Sequence, residues 1–196
     1  MSQYFENDDN VLSLPKDTHY WVGAKCLTFK TDHGVFSYGE IDDASAVLIK
    51  KGPPCKGRVL DLGCGYGFIG ITLKTMYPSI ELYQSDINER ALDLCKANCL
   101  NNGIVSSFIL SDGFESIEDS FDCIYLNPPI HAGKDICRKL ITDSIKHLTP
   151  GGVLAIVIRK KHGAKSYLKW FTDNRISYEI VEKKDDIYVI NLHNSN

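Results

Sequence analysis

The chain has no Cys-x-x-Cys pair, no His-Glu-x-x-His spacing, and no apolar run approaching ~18 residues. These absences exclude a paired-cysteine zinc site, a helical metalloprotease motif and a membrane span. Its seven cysteines, at positions 26, 55, 64, 95, 99, 123 and 137, are odd in number and scattered, the usage of a reduced, cytoplasmic protein rather than a disulfide framework. Cys95 and Cys99 lie one helical turn apart, but no His or further Cys is near in sequence to complete four ligands. Packing is therefore their expected role, and no metal is expected. The segment Met1 to Asn10 is acidic and lacks the basic-then-apolar order of an export signal. A formal net charge of −3 argues against a protein that coats nucleic acid indiscriminately, and confines any phosphate-guiding surface to one region. Internal repeats and low-complexity segments are absent too.

What is there is enough for one domain. At 196 residues and 43% hydrophobic, the chain can fill one core but not two ordinary ones. From residue 57 onward apolar runs alternate with amphipathic stretches, the order of a parallel sheet covered by helices on both faces. Strands are predicted at Arg58–Leu62, Ile80–Ser85, Ile104–Leu110, Phe121–Leu126 and Val153–Ile158. Helices are predicted at Phe68–Tyr77, Glu89 to about Asn101, Lys134–Leu148 and Ala164–Thr172, with Thr149-Pro150-Gly151-Gly152 as a closing turn. Two last strands, Ile176–Val181 and Ile187–Leu192, are joined so briefly that they must pair antiparallel. Residues 1–56 break the alternation: Tyr20–Thr31 reads as a strand, Thr31–Gly34 as a turn, Val35–Tyr38 as a return strand and Ile41–Lys51 as a helix. This front part is read as an embellishment of the same domain, 1–196, whose core is 57–196.

Asn127-Pro128-Pro129-Ile130 follows the apolar Phe121 run and so delivers a side-chain amide to the carboxyl end of a buried strand. The two prolines fix φ and remove two donors, which leaves a stiff turn whose carbonyls are expected to be free. An amide oxygen beside a free carbonyl suits the gripping of a planar amine by both of its hydrogens. Asp61-Leu62-Gly63-Cys64-Gly65-Tyr66-Gly67 follows the first strand and opens a helix, where a doubly wound sheet binds nucleotide-like ligands. Gly65, Gly67 and Gly70 also satisfy the dinucleotide pattern, so NAD is an alternative ligand. Asp61 suits an amino group or sulfonium better than a pyrophosphate, and no Gly-Lys-Ser or Gly-Lys-Thr marks a P-loop. Asp86, ending the second strand, can accept ribose hydroxyls, while Asp112, beside Gly113, can meet an adenine amine with Ile87 or Phe114 against the ring. Both aspartates could instead cap the next helix.

These residues resemble a class I S-adenosylmethionine-dependent methyltransferase: the Asp61 to Gly67 loop its glycine motif, Asp86 its ribose acid, Asn127 to Ile130 its amine-methylation motif. Thr31 to Asp42, together with Asn127 to Lys134, is similar to the RsmC-like "methyltransferase small" family of ribosomal small-subunit guanine-N2 methyltransferases, over about residues 19 to 192. The resemblance implies a Rossmann-like α/β fold with a seven-stranded sheet of order 3-2-1-4-5-7-6, strand 7 antiparallel, behind an N-terminal β-hairpin and helix extension. It implies S-adenosyl-L-methionine as cofactor, held by Phe36, Ser37, Asp61, Gly63, Gly65, Gly67, Asp86, Ile87, Asp112, Gly113 and Asn127, with Val35 to Asp42 lying over it. Catalysis would fall to Asn127, Pro128 and Pro129, which make a guanine amine more tetrahedral by accepting its hydrogens. Ile130 stands where many relatives carry an aromatic, which tilts the substrate from adenine or protein glutamine towards guanine. Ile130, His131, Lys134, Arg159, Lys160 and Lys161 would meet the RNA, with Arg138, Lys139 and Lys165 nearby. The expected partner is small-subunit ribosomal RNA or a ribosomal particle, and the expected state a monomer or weak homodimer. An RNA-binding module without turnover is the alternative from another class. Many relatives carry a second, degenerate copy of the domain; without one here, RNA recognition would rest on this domain, its first 40 residues or a partner.

Overall fold

The computed structural model describes residues 12–194, so Met1 to Asn10 lies outside the described residues. The core begins with β3 (Arg58–Leu62), α2 (Phe68–Met76), β4 (Glu81–Asp86), α3 (Glu89–Asn102) and β5 (Ser107–Leu110). It continues through β6 (Phe121–Leu126), α4 (Lys134–Lys146), β7 (Leu148–Arg159), α5 (Ala164–Asp173), β8 (Ser177–Lys184) and β9 (Ile187–His193). In front stand β1 (Lys16–Val22), β2 (Lys25–Thr31) and α1 (Asp43–Lys51).

Seven strands form one sheet in the order β5-β4-β3-β6-β7-β9-β8, which is 3-2-1-4-5-7-6 counted from β3, as expected. From β5 through β7 every pairing is parallel, and β9 runs antiparallel to both β7 and β8. The reason lies in the connections. β4, β5 and β7 are each reached through a helical crossover and β6 through the helix-free segment 111–120 that crosses back from β5, whereas Asp185, at φ 55, turns β8 directly into β9. Alternation along β7 divides the interior. Leu154, Ile156 and Ile158 face α4 and α5 with Ile141, Tyr167 and Phe171, while Ala155 and Val157 face the other layer with Leu48, Ile71 and Phe29. With both faces covered, its Val153–Ile158 stretch is apolar throughout.

Four boundaries differ from the sequence reading. The hairpin turns at Gly23-Ala24, with Gly23 at φ 58, and pairs Lys16 with Thr31 through Val22 with Lys25. A two-residue turn with glycine first matches the strand twist, and it lay hidden inside the run read as one strand. Val35–Tyr38 is not a strand: Ser37 sits at φ 63, and Val35 and Glu40 donate back to Asp32 and Ser37 carbonyls. Thr149–Gly152 is no closing turn but an irregularity within β7, where pairing jumps from Phe121–Leu148 to Cys123–Val153 around Gly151 at φ 77. β5 also starts later than read. Ile104 instead closes α3 by donating to Cys99, with Gly103 left-handed at φ 68.

The hairpin is tied to the core by asparagines. Asn98 accepts from Lys30 N at 2.8 Å and donates to the carbonyls of Lys30 (2.9 Å) and Tyr66 (2.8 Å). One turn on, Asn102 accepts from Thr28 N at 3.1 Å and donates to Thr28 O at 2.9 Å. Two amides at i and i+4 on α3 thus serve alternate residues of β2 as a neighbouring strand would. Tyr20 adds an edge-on ring contact to Phe68, centroids 5.0 Å apart. Asn98→Ala strips the fully buried Asn98 of all three bonds and leaves backbone groups unpaired, so it is expected to cost about 3 kcal/mol in urea unfolding. Hydrogen exchange at Lys30 N should accelerate more than exchange in β7; equal protection at Lys30 in variant and parent would contradict the clamp.

Candidate active site

A cavity of about 370 Å³ opens at the carboxyl ends of β3, β4, β6 and β7. It spans the point where the chain, having built outward from β3 to β5, crosses back to β6. On one side is the glycine loop. Gly63 N and Cys64 N donate to Ser85 O at 2.8 and 2.9 Å, and Gly65 N to Asp86 Oδ2 at 2.8 Å, so the loop is pinned to the end of β4. Gly63 and Gly65, at φ 69 and 55, have open space where a Cβ would stand, and both line the cavity. Gly67 does not line it. At φ 90 it caps α2, and a Cβ there would stand 2.7 Å from Cys95 Sγ, so its glycine serves packing.

Asp86 lines the cavity and is held on both oxygens, Oδ1 by Asn88 N at 2.9 Å and Oδ2 by Gly65 N. Burial pushes its pKa up, and the backbone N–H groups of Asn88, Gly65 and Ile87 oppose the rise. Each oxygen keeps a lone pair for a further donor. Ile87, Asp112 and Gly113 also form the wall. Phe114 lies outside it, stacked on His147 at 4.2 Å, which leaves Ile87 as the apolar neighbour for a ring. Asp112 caps no helix, because the turn that follows is closed by Ser116 N donating to Ser111 Oγ at 3.0 Å.

Asp61 is the largest departure from the expected wall. It is fully buried beneath the loop, its Oδ2 accepting from Gly70 N at 2.8 Å and its Oδ1 without a partner among the described residues. The carboxyl therefore props α2 against the sheet instead of reaching into the cavity.

The segment between β2 and α1 covers the cavity as a strap. Val35 and Phe36 line it; Ser37 does not. Asp32 anchors one end, accepting from Arg90 Nη2 (2.9 Å), Ser13 Oγ (2.7 Å), Leu14 N (2.8 Å) and His33 N (2.8 Å). Burial would raise its pKa, but these donors outweigh it and hold the carboxyl at about 2. Tyr66 OH donates to Glu40 O at 3.3 Å, and Asn88 Nδ2 to Gly34 O at 3.2 Å.

Asn127, Pro128, Pro129, Ile130 and His131 line the far end. Asn127 Nδ2 donates to Asp42 Oδ2 at 3.1 Å and to Ser45 Oγ at 3.0 Å, which occupies both amide hydrogens and leaves Oδ1 for the cavity. The carbonyls are less free than the prolines implied. Pro129, at φ −74 and ψ 76, forms an inverse γ-turn in which Ile130 N donates to Pro128 O at 2.8 Å. Pro129 O is taken by Ala132 N at 2.9 Å and by Cys137 Sγ. Pro128 O thus retains one lone pair and a fixed direction.

Of the basic residues, Arg159 and His162 reach the wall, while Lys134, Lys160 and Lys161 stand outside it, exposed. Arg159 pairs with Asp42 Oδ1 at 3.5 Å. Arg138 lies over the Trp170 ring and Lys139 pairs with Asp143. His162 sits with His131, centroids 6.0 Å apart; burial and the nearby Lys161, His131 and Arg159 lower its pKa. Ser45 was not singled out from the sequence, and Asp42 was placed only at the end of the covering segment. The spacing Asp42-x-x-Ser45 is a helix-cap signal, but nothing local ties it to residue 127.

Asp61 offers a test through pH. Burial pushes its carboxyl up from 3.8 to about 7, Gly70 N–H opposing and the Asp86 charge adding. Between those values the folded protein binds the extra proton, so this group's contribution to stability falls as pH rises. Asp61→Asn keeps an acceptor for Gly70 and never ionises. Without ligand, its melting temperature relative to the parent is expected to climb from pH 4 to pH 7 and stay higher at pH 8. A constant difference across that range in calorimetry would contradict the assignment.

Comparison with known proteins accords with this geometry. Residues 26–191 match the family described as the methyltransferase small domain. The chain is 36% identical over 192 residues to YbxB of Bacillus subtilis, covering 95% of this chain and 96% of that protein. It is 40% identical over 129 residues to ribosomal RNA small subunit methyltransferase C of Pasteurella multocida, covering 63% of this chain and 39% of the relative. Among solved structures, the T. thermophilus 16S rRNA N2 G1207 methyltransferase RsmC, in complex with AdoMet and guanosine, superposes with a TM-score of 0.78 at 25% identity. That match covers 93% of this chain and 51% of the other, so this chain spans about half of that relative and less of the Pasteurella one. By its sheet order, its glycine loop and its match over residues 26–191, the chain belongs to the methyltransferase small domain family of class I S-adenosylmethionine-dependent methyltransferases.

Proposed function

We propose that the protein methylates the exocyclic N2 amine of a guanine in small-subunit ribosomal RNA. One observation carries the reading. With both hydrogens of the Asn127 amide bound by Asp42 and Ser45, its oxygen is left to the cavity, next to Pro128 O with its one remaining lone pair. Two acceptors on a rigid turn suit a planar amine's two hydrogens. The RNA reading draws on the ribosomal RNA methyltransferase relatives and on the guanosine bound in the solved one.

The residues fit S-adenosylmethionine. Gly63 and Gly65 leave the loop side without side chains, Asp86 keeps lone pairs for ribose hydroxyls, and Ile87, Asp112 and Gly113 suit an adenine. When bound it supplies an electrophilic methyl group. The chain's own task is to prepare the nucleophile. A guanine amine is weakly nucleophilic because its lone pair is delocalised into the ring. Accepting both hydrogens at Asn127 Oδ1 and Pro128 O draws the nitrogen towards a tetrahedral shape and frees that pair, a positional and electrostatic contribution that needs no covalent intermediate. Ile130, half-buried at the wall, supports the base without an aromatic stack. The exposed Lys134, Lys160 and Lys161 form no ion pair among the described residues and are available to steer a phosphate backbone.

Incubation with methyl-labelled S-adenosylmethionine and unmodified 16S ribosomal RNA transcript or small-subunit particles, followed by nucleoside mass spectrometry, is expected to yield N2-methylguanosine. Asn127→Ala should lower the rate about 10²–10³-fold, the scale of losing one aligned transition-state contact, while S-adenosylmethionine affinity stays within a few-fold. N6-methyladenosine, label on protein, or RNA binding indifferent to both donor and Asn127→Ala would overturn the reading.

A further inference from the structure

We propose that Asp42 is the positioning residue that sets which way the Asn127 amide faces, so that the cavity presents a hydrogen-bond acceptor and not a donor to the substrate amine. The proposal rests on the role given to Asn127 above. A primary amide is nearly symmetric in shape, and a half-turn about its terminal bond exchanges oxygen for nitrogen at little steric cost. Nothing in the Asn-Pro-Pro turn prevents that exchange. The two orientations are opposite in chemistry, because an N–H₂ group facing the substrate would set donor against donor.

Asp42 breaks the symmetry. An ionised carboxylate only accepts, and its Oδ2 stands 3.1 Å from Asn127 Nδ2. A flipped amide would place its oxygen against that carboxylate and lose the charge-assisted bond. Ser45 Oγ, at 3.0 Å, takes the second hydrogen of the same nitrogen. The carboxylate itself cannot easily swing away. Oδ2 also accepts from Ser45 N at 2.7 Å as the N-cap of α1, and Oδ1 faces Arg159 Nη2 at 3.5 Å. α1 is in turn seated by Leu48 and Ile49, 0% and 3% exposed. The amide's direction is therefore set by a helix that precedes the sheet by sequence and meets it only in three dimensions. The front segment, read as an embellishment, completes the site.

Asp42→Gly separates orientation from architecture, since glycine caps a helix nearly as well as aspartate does but carries no acceptor for Asn127 Nδ2, whereas an asparagine held on Ser45 N would keep its oxygen where Oδ2 meets both. Tested with labelled S-adenosylmethionine and 16S ribosomal RNA transcript, Asp42→Gly is expected to lower kcat about 10–100-fold, with melting temperature and S-adenosylmethionine affinity little changed. Ser45→Ala should lower kcat less. The deciding measurement is the double variant. In an Asn127→Ala background, Asp42→Gly should cost nothing further, because there is no amide left to orient. A multiplicative loss in the double variant, or a matching loss of cofactor affinity, would assign Asp42 a merely structural role and overturn the proposal. Full activity of Asp42→Gly beside an inactive Asn127→Ala would overturn it while leaving the amide grip standing. Full activity of Asn127→Ala would instead remove the grip, and the proposal with it.

Discussion

Parallel strand pairing is the constraint on which the rest depends. Parallel strands must be joined by crossovers, so each of β3, β4, β5, β6 and β7 releases the chain at the same rim of the sheet. Gly63 and Gly65, Asp86, Asp112, Asn127 and Arg159 are all residues of those strand ends or of the turns that leave them. Residues 96 positions apart in sequence, such as Gly63 and Arg159, share one cavity wall for that reason alone. The central strands β3, β6 and the Val153–Ile158 part of β7 are buried on both faces, which makes the rim rigid and leaves chemistry to the turns.

The segment before the sheet contributes no strand to it. Buried Leu27, Phe29 and Leu48 seat it on the core, and side chains bonding to backbone and to one another orient it. Asn98 and Asn102 bind β2, Asp32 accepts from Arg90, and Asp42 receives Asn127 and Arg159. Such bonds are individually modest but directional, so they hold the strap over the cavity and the Asn127 amide in one orientation. The division of labour is physical: hydrophobic burial builds the sheet and seats the front segment on it, and polar contacts orient that segment at the site.

The core was legible because its signals are local. The Val153 to Ile158 run has no reading other than a strand covered on both faces, and the Lys183 to Asp186 join allows only a hairpin. Asn127 was legible for the same reason, since it follows a strand directly. What escaped depends on partners distant in the chain. Asp61 precedes the glycines as a cofactor acid would, yet it is turned under α2 to meet Gly70. Phe114 adjoins Asp112 but stacks on His147. Two prolines imply free carbonyls, yet the γ-turn at Pro129 occupies one lone pair of Pro128 O. Gly23-Ala24 lay within a run of strand-forming residues, where pairing with neither end of the segment could be foreseen. Asp42 meets Asn127 across 85 residues, and no periodicity records that contact.

The proposed grip on the amine of the methylated base is an acceptor pair, Asn127 Oδ1 and Pro128 O. A crystal structure with S-adenosylhomocysteine and guanosine is its test. With the grip in place, guanine N2 lies at about 3 Å from both oxygens, and Asn127 Nδ2 stays on Asp42. A guanine whose N2 points to solvent or to His131, with the Asn127 oxygen turned from the cavity, would contradict it.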